Sequence, residues 1–460
     1  MTQAEACLTA WFMSSFSPSR PATAVLLAAG LGTRMKSSRA KAMQQIAGLP
    51  MLAHLLASAS AVFDRLVVVI GPGMEDVAEL VAPYPVIIQH DRLGTAHAAL
   101  QAEACFGDGD VAVLYADNPL ISAHTLTTLL EERRKPGVGL ALLAMRPQDP
   151  ARYGRVLAHD GEVSRIVEWA DATPEERSVD LCNAGVLCAD ASDFRRWLQA
   201  VRNDNTKGEF YLTDVVGLAV AEQVRVRAVE APEDELRGVN SRAELALAEA
   251  AMQTRLRETA MAEGVTLVAP ETVFLCADTC LSSDVLIEPH VVFGPGVIVH
   301  EGATIRSFSH LEGCEIHADT VIGPYARIRP GSSIGAGSRV GNFVEIKATT
   351  MGTGVKVNHL SYLGDSRVGN RTNIGAGTIT CNYDGTFKHS TLIGHDVFVG
   401  SDSVLVAPLN IGDNALIGAG SVITADVPPD ALALGRARQA NKPEQGKRYK
   451  DILRARKENG

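Results

Sequence analysis

The sequence predicts an α/β chain made of unlike halves: a nucleotide-binding, Rossmann-like domain, a long helix, and a parallel β-helix of hexapeptide repeats. Three observations predict it. Residues 21–240 alternate short apolar strands with helical stretches. Residues 241–264 run good helix formers between a capping serine and a glycine. From Leu281 onward, aliphatic residues recur every six positions. The expected division is a flexible extension over 1–20, the first domain over 21–240, a helical linker over 241–264, the β-helix over 265–440 and a basic tail over 441–460.

Composition sets bounds. A chain of 460 residues exceeds what one core fills, so two or three domains are expected. A hydrophobic fraction of 46% with 21% charged residues is that of an ordinary soluble protein. The net charge of −10 argues against a general nucleic-acid binder, which needs a basic face. No apolar run approaches the ~20 residues of a membrane span. At the N-terminus, Glu5 comes early and "LTAWFM" is too short for a signal core. The eight cysteines are scattered; Cys276 and Cys280 are the closest pair, and no second pair or histidine cluster completes a zinc site. Reduced thiols in a cytoplasmic protein are expected.

In the first domain the strands are "TAVLLAAG", "RLVVVIG", "PVIIQH", "DVAVLYAD" and "GLALLAM", with "MLAHLLASASAVF" as a helix between them. This pattern predicts an open parallel sheet with helices on both faces. In the linker, Ser241 is the N-cap and Glu244 completes a capping box, while Gly264 ends the run. About 22 residues at 1.5 Å each would make an arm of about 33 Å. In the repeats, Leu281, Ile287, Phe293, Val299, Ile305 and Leu311 share one register. Ile322 to Ile346 share a second, and Ile393 to Ile423 a third. Each points inward, and small residues after it permit a corner. The register slips between Ile346 and Ile393, and "CNYDGTFKHST" (381–391) interrupts it, which predicts a surface loop.

The stretch "LLAAGLGTRM" (26–35) follows the first strand. Met35 stands where a dinucleotide fingerprint has its third glycine, and no Gly-Lys-Ser/Thr follows, so this is neither a Rossmann dehydrogenase nor a Walker loop. Backbone N–H groups of residues 29–34 can still cradle phosphate ahead of a helix N-terminus. The loop resembles that of sugar-nucleotide pyrophosphorylases, and the resemblance implies that Arg34 and Lys41 neutralise growing phosphate charge.

These residues resemble the signature of sugar-nucleotide pyrophosphorylases, Leu27-Ala28-Ala29-Gly30-x-Gly-Thr-Arg-Met with Lys41 behind it. The resemblance implies a nucleoside-triphosphate site. Gln89, Gly94 and Thr95 of "QHDRLGTAHA" would hold the uracil. Tyr115, Ala116 and Asp117 of "LYADNPLI" would line the nucleotide. Asp117 and Asn240 of "GVN" would share Mg²⁺. Gly154, Glu168 and Asn183 would recognise the sugar. The chain departs from the family at Arg92 (commonly Gln), Ala184 (commonly Thr) and Ala40 (commonly Pro).

Residues 22–440 as a whole resemble the bifunctional N-acetylglucosamine-1-phosphate uridyltransferases/glucosamine-1-phosphate N-acetyltransferases. "GPYARIRPG", "GNFVEIK", "VNHLSYLGD", "NIGAGTITCNYDG" and "FVGSD" carry this resemblance. It implies a left-handed β-helix that closes as a homotrimer. Its substrates would be UTP, acetyl-CoA, glucosamine 1-phosphate and N-acetylglucosamine 1-phosphate, and its product a precursor of peptidoglycan and lipopolysaccharide. His359 would be the general base of acetyl transfer. Arg329, Lys347, Tyr362 and Asn373 would bind glucosamine 1-phosphate. Ala376, Asn382, Tyr383, Ser401, Ala419 and Arg436 would line the acetyl-CoA groove. The basic tail has seven Lys/Arg against three acids after Ala440; its composition suits either a hold on the CoA phosphates or a disordered end. The alternative is a sugar-1-phosphate nucleotidyltransferase whose β-helix only regulates or oligomerises; the Arg329, Lys347 and His359 constellation separates the two.

Overall fold

The computed structural model describes residues 20–150 and 152–458. The extension expected over residues 1–20 therefore lies, except for Arg20, outside the described residues. The chain separates into two compact units. One runs to Ala262 and takes in Phe274–Cys280; the other joins Glu263–Val273 to the stretch from Leu281 onward.

The first unit is built on a nine-stranded sheet. Ala22–Leu27 lies between Arg65–Ile70 and Asp110–Tyr115, parallel to both, with Val86–Ile88 at the edge. Both faces are covered. Ala24, Leu26, Val68, Ile70, Ala112 and Leu114 enter one core; Val25, Val67, Val69, Val111 and Val113 enter the other. Two-sided burial explains why these strands read as continuous apolar runs. The sheet is not the open parallel one predicted. Cys182–Asp190 runs antiparallel to both Asp110–Tyr115 and Val138–Met145. The chain leaves Val138–Met145 to form the antiparallel pair Arg155–His159 and Glu162–Val167, then returns beside the strand it left. An antiparallel neighbour needs no crossover helix, so helix–strand alternation gives no sign of it.

The helix Arg242–Ala262 packs Ala248 and Met252 against Ile46, Met51, Leu120 and Val239. Its first half is thus part of the first unit's core.

The second unit is a left-handed parallel β-helix. Its strands form parallel sheets of ten, eight and eight, each strand pairing with the one a full coil later. Ile287, Val299, Ile305, Leu311, Ile322, Ile328, Ile334, Ile346, Val399 and Ile417 are buried, each worth roughly 1.5–3 kcal/mol on leaving water. Hydroxyls join coils from inside: Ser338 donates to the Gly352 carbonyl at 3.0 Å and Thr372 to that of Gly394 at 2.7 Å.

The repeat continues through the stretch where its phase is lost. Met351, Val357, Leu363, Val368 and Ile374 carry the inward row. Phase is lost in five-residue steps, Leu311 to Ile316, Ile346 to Met351 and Leu363 to Val368, all at the corner between the two eight-stranded sheets. The loop 382–390 leaves at that same corner. The basic tail includes an exposed helix, Gln445–Glu458.

Candidate functional sites

The strand Ala22–Leu27 delivers the chain to the buried Ala28 and Ala29, and the glycine loop follows. Gly32 sits at φ +62°, and a Cβ there would lie 2.6 Å from the Lys41 side chain, so glycine makes room for that lysine. A Cβ on Gly30 would meet open space, so no packing within the chain requires glycine there. Lys41 Nζ donates to Asp117 Oδ2 at 2.6 Å and to Asn240 Oδ1 at 3.1 Å. Arg34 donates to the same Asn240 oxygen at 3.0 Å.

Residues from three distant stretches of sequence are thus joined, and the backbone shows how. Val239 N–H donates to the Asp117 carbonyl at 2.7 Å, and Asn118 donates to the Leu236 carbonyl at 2.6 Å. The capping box differs from its predicted form. Glu244 N–H donates to Ser241 Oγ at 3.2 Å, but the Glu244 carboxylate accepts from the N–H of Asn240, at 2.7 Å, instead of that of Ser241. The helix start therefore pins Asn240. Arg242 adds bonds to the Met35 carbonyl and Gln44 Oε1, at 3.2 and 2.7 Å. Asp117 and Asn240 offer one carboxylate and one amide oxygen, both hard donors already bridged by the Lys41 cation. That donor set fits Mg²⁺.

Gln89 donates to the Gly94 carbonyl at 3.2 Å and bonds His97 Nδ1 at 3.0 Å. Thr95 Oγ1 accepts from Leu212 N–H at 3.0 Å. Arg92 donates to the Ala29 carbonyl at 2.8 Å, bracing the glycine loop. Ala40 has φ −52° and ψ 145°, a conformation proline also adopts, so its replacement leaves the backbone path intact. Ala116 and Ala184 are both buried.

At the expected sugar loops, Asn183 N–H donates to the Gly154 carbonyl at 2.9 Å, and Thr213 donates to Glu168 Oε1 at 3.1 Å. Burial pushes the Glu168 pKa up. Burial likewise raises the Tyr115 phenol, whose ring fills the space beside Gly185.

In the second unit, His359 ends the strand Lys356–His359, and its Nδ1 lies 2.9 Å from Asn342 Oδ1. An amide oxygen only accepts, so Nδ1 carries the proton and Nε2 is the basic nitrogen. A groove of about 370 Å³ opens beside it, with Arg306, Arg339 and Asn358 in its walls. Asn342, His359, Ala376, Ser401 and Ala419 occupy one row, each a coil beyond the last: the N–H of Leu360, Gly377, Asp402 and Gly420 reaches back to the carbonyl of Asn342, His359, Ala376 and Ser401 in turn. The side chains after His359 in this row are small. Arg436 ends it, donating to the Ala419 carbonyl at 2.6 Å.

On the adjoining sheet, Arg329 pairs with Glu345 at 2.8 Å. The neighbouring Lys388 pushes the Lys347 pKa down, through their hydrogen bond first and their like charge second, and Arg329 adds to it. Asn382 bonds the Asp365 carboxylate and lies 3.5 Å from the Tyr362 hydroxyl. Asn373 lies on another sheet, paired with Lys356. Tyr383 is 61% exposed and donates to the Gly385 carbonyl within its own loop, at 2.6 Å. Sequence reasoning missed Asn342, Asp365 and Lys388. The signal for Asn342 was present: it precedes His359 by 17 residues, one shortened coil.

Residues 24–181 match the MobA-like NTP transferase domain, and residues 313–348 and 390–425 match the bacterial transferase hexapeptide repeats. The chain is 67% identical over 445 residues to the bifunctional protein GlmU of Gluconacetobacter diazotrophicus, covering 96% of each chain. It is 62% identical over 421 residues to that of Acidiphilium cryptum, covering 92% of this chain and 96% of the relative. It is 60% identical over 435 residues to that of Granulibacter bethesdensis, covering 94% and 96%. Identity at this level across both units makes the chain a member of the bifunctional GlmU family.

Proposed function

We propose that the chain performs two reactions on one sugar phosphate. Its β-helix acetylates glucosamine 1-phosphate with acetyl-CoA. Its first unit then joins the resulting N-acetylglucosamine 1-phosphate to the uridylyl group of UTP, releasing pyrophosphate and yielding UDP-N-acetylglucosamine.

The row from His359 to Ala419 carries the acetyl-transfer reading. Small side chains after a basic imidazole leave a narrow track about three coils, or ~14 Å, long, which suits a thin pantetheine arm lying against backbone. His359 Nε2 takes the proton of the attacking amine. A C–N bond forms as the thioester C–S bond breaks, and the thiolate leaves to be protonated. Arg329, Lys347 and Lys388 present clustered positive charge for the sugar phosphate. Tyr362 and Asn373 would contact the sugar, and Asn382, Tyr383 and Arg436 the acetyl-CoA.

For uridylyl transfer, the sugar phosphate oxygen attacks the α-phosphorus, and the bond to pyrophosphate breaks. The loop from Leu27 to Gly30 would hold phosphate oxygens by backbone N–H groups. Arg34 and Lys41 offset the charge that develops. Gln89, Gly94 and Thr95 would read the base; Gly154, Glu168 and Asn183 would read the sugar. Mg²⁺ held by Asp117 and Asn240 would supply further charge neutralisation.

A homotrimer in the cytoplasm completes the proposal. Tyr383 and His359 stand exposed, which suits a site finished by a neighbouring chain, and UTP and acetyl-CoA are cytoplasmic substrates. No helix among the described residues is long and apolar enough to cross a membrane. The test supplies purified protein with glucosamine 1-phosphate, acetyl-CoA, UTP and Mg²⁺ and follows products by mass. N-acetylglucosamine 1-phosphate should appear first and UDP-N-acetylglucosamine second. Formation of UDP-glucosamine without acetylation would refute it.

A further inference from the structure

Among residues assigned to neither reaction, two histidines and a glutamate meet on the β-helix. His300 and His317 follow the inward residues Val299 and Ile316, which are register partners on successive coils. On the later coils the same place is taken by Gly335, Gly352, Gly369, Gly394 and Gly412, each after an inward residue of the same sheet. A turn at this corner thus needs no imidazole. The two rings stack with centroids 5.2 Å apart and planes 5° apart. Glu315, beside Ile316 on the strand Cys314–Ile316, reaches both: His300 Nε2 is 2.8 Å from Oε1 and His317 Nε2 is 3.8 Å from Oε2. His317 Nε2 also lies 3.1 Å from Ser333 Oγ. The three donor atoms fall within 4.8 Å of one another. All three side chains are partly open to solvent, at 20%, 38% and 41% exposure, so a cation has an entry path.

Two imidazoles and one carboxylate suit Zn²⁺ and its first-row neighbours; Mg²⁺ and Ca²⁺ prefer all-oxygen sets. Three protein ligands leave one tetrahedral position for water. We propose that His300, Glu315 and His317 bind one Zn²⁺ per chain, clamping two adjacent coils. Such a site would be independent of the oxygen pair Asp117 and Asn240.

The test titrates the full chain, in saturating Mg²⁺, with Zn²⁺ against a chromophoric chelator, and with Co²⁺ by visible absorption. Wild type should bind one Zn²⁺ per chain that the double variant His300→Ala/His317→Ala does not. Glu315→Gln, which preserves side-chain shape, should weaken binding at least about tenfold, the lower end of losses when metal-site support is removed. The Co²⁺ band should disappear in the double variant. Zn²⁺ should raise the melting midpoint of wild type and leave that of the double variant unchanged. Both variants should keep wild-type far-UV circular dichroism and both activities without zinc. Equal stoichiometry and affinity in wild type and the double variant, or no zinc bound by wild type, would overturn the proposal.

Discussion

At the glycine loop, Arg34, Lys41, Asp117 and Asn240 already bond one another. On the β-helix, His359 is exposed with Asn342 behind it, and Tyr383 turns back on its own loop. The first arrangement brings together residues 34, 41, 117 and 240 through the order of strands in a sheet. The second lines up residues one coil apart through a repeat. A sheet can gather distant residues into a closed polar cluster, whereas a solenoid presents its side chains outward in rows. The first proposed site therefore draws on charges bonded within one chain, and the second presents an exposed row.

Breaking the closed cluster should have the largest effect. Asp117→Ala leaves Lys41 without its carboxylate and removes the charged ligand of the proposed Mg²⁺ pair. Uridylyl transfer should fall about 10³–10⁵-fold, the equivalent of several kcal/mol of lost charge stabilisation. Acetyl transfer, assayed in parallel, should be unchanged. EDTA should reproduce this split, and acetylation that stops in EDTA would remove the contrast between the sites.

Breaking the open row comes next. His359→Ala should lower acetyl transfer roughly 10²–10⁴-fold and spare uridylyl transfer. Mixing sharpens the point. If neighbouring chains share each site, unfolding and refolding His359→Ala together with Asn382→Ala should restore about a quarter of wild-type acetylation, because random cyclic trimers place intact partners at that fraction of interfaces. No recovery would put each site within one chain.

A smaller effect is expected behind the imidazole. Asn342→Ala removes the acceptor that fixes the His359 tautomer. A hydrogen bond of about 1 kcal/mol predicts a kcat for acetylation lowered about threefold to tenfold, with KM for acetyl-CoA nearly unchanged. An equal loss in KM would mean that Asn342 touches the cofactor instead of positioning the base.

The same contrast explains how much could be read from sequence. The β-helix was legible because each inward residue is a local choice repeated along the chain. What the six-residue ruler obscured was the corner where Leu311, Ile346 and Leu363 each step by five, since one missing residue shifts every later position. In the first unit the strands were legible but their order was not. Nothing in "CNAGVLCAD" tells that it runs against its neighbours, because direction is set by the intervening hairpin. The members of the polar cluster were named from family resemblance, but their mutual bonds depend on long-range contacts such as Val239 to Asp117. The Glu244 carboxylate illustrates the limit: spacing found the capping box, and only the fold shows it serving Asn240.

The smallest predicted effect tests burial at Glu168, one of the residues proposed to read the sugar. Burial holds the Glu168 pKa above that of a free glutamate; the Thr213 hydroxyl and Lys207 pull it down less, and Asp171 pushes it up. In the unfolded chain the group titrates near ~4.3. Because the folded value is the higher one, the folded state holds more protons between the two. Stability must then fall as pH rises through that window and stay lower above it. Asp214, pushed up to about 6 by burial first and Glu168 second, adds a penalty of the same sign. Glu168→Gln removes the charge and keeps an acceptor for Thr213. At pH 7.5 the variant should melt about 2–4 °C higher than wild type, the shift expected of a modest gain in a unit of this size. Below about pH 3 the two should coincide, because the wild-type carboxyl is then almost wholly neutral in both states. The uridylyltransferase KM for N-acetylglucosamine 1-phosphate should rise in the same variant. A variant that melts lower at pH 7.5 would show that Lys207 and Thr213 outweigh desolvation, placing Glu168 among the groups that hold this unit together.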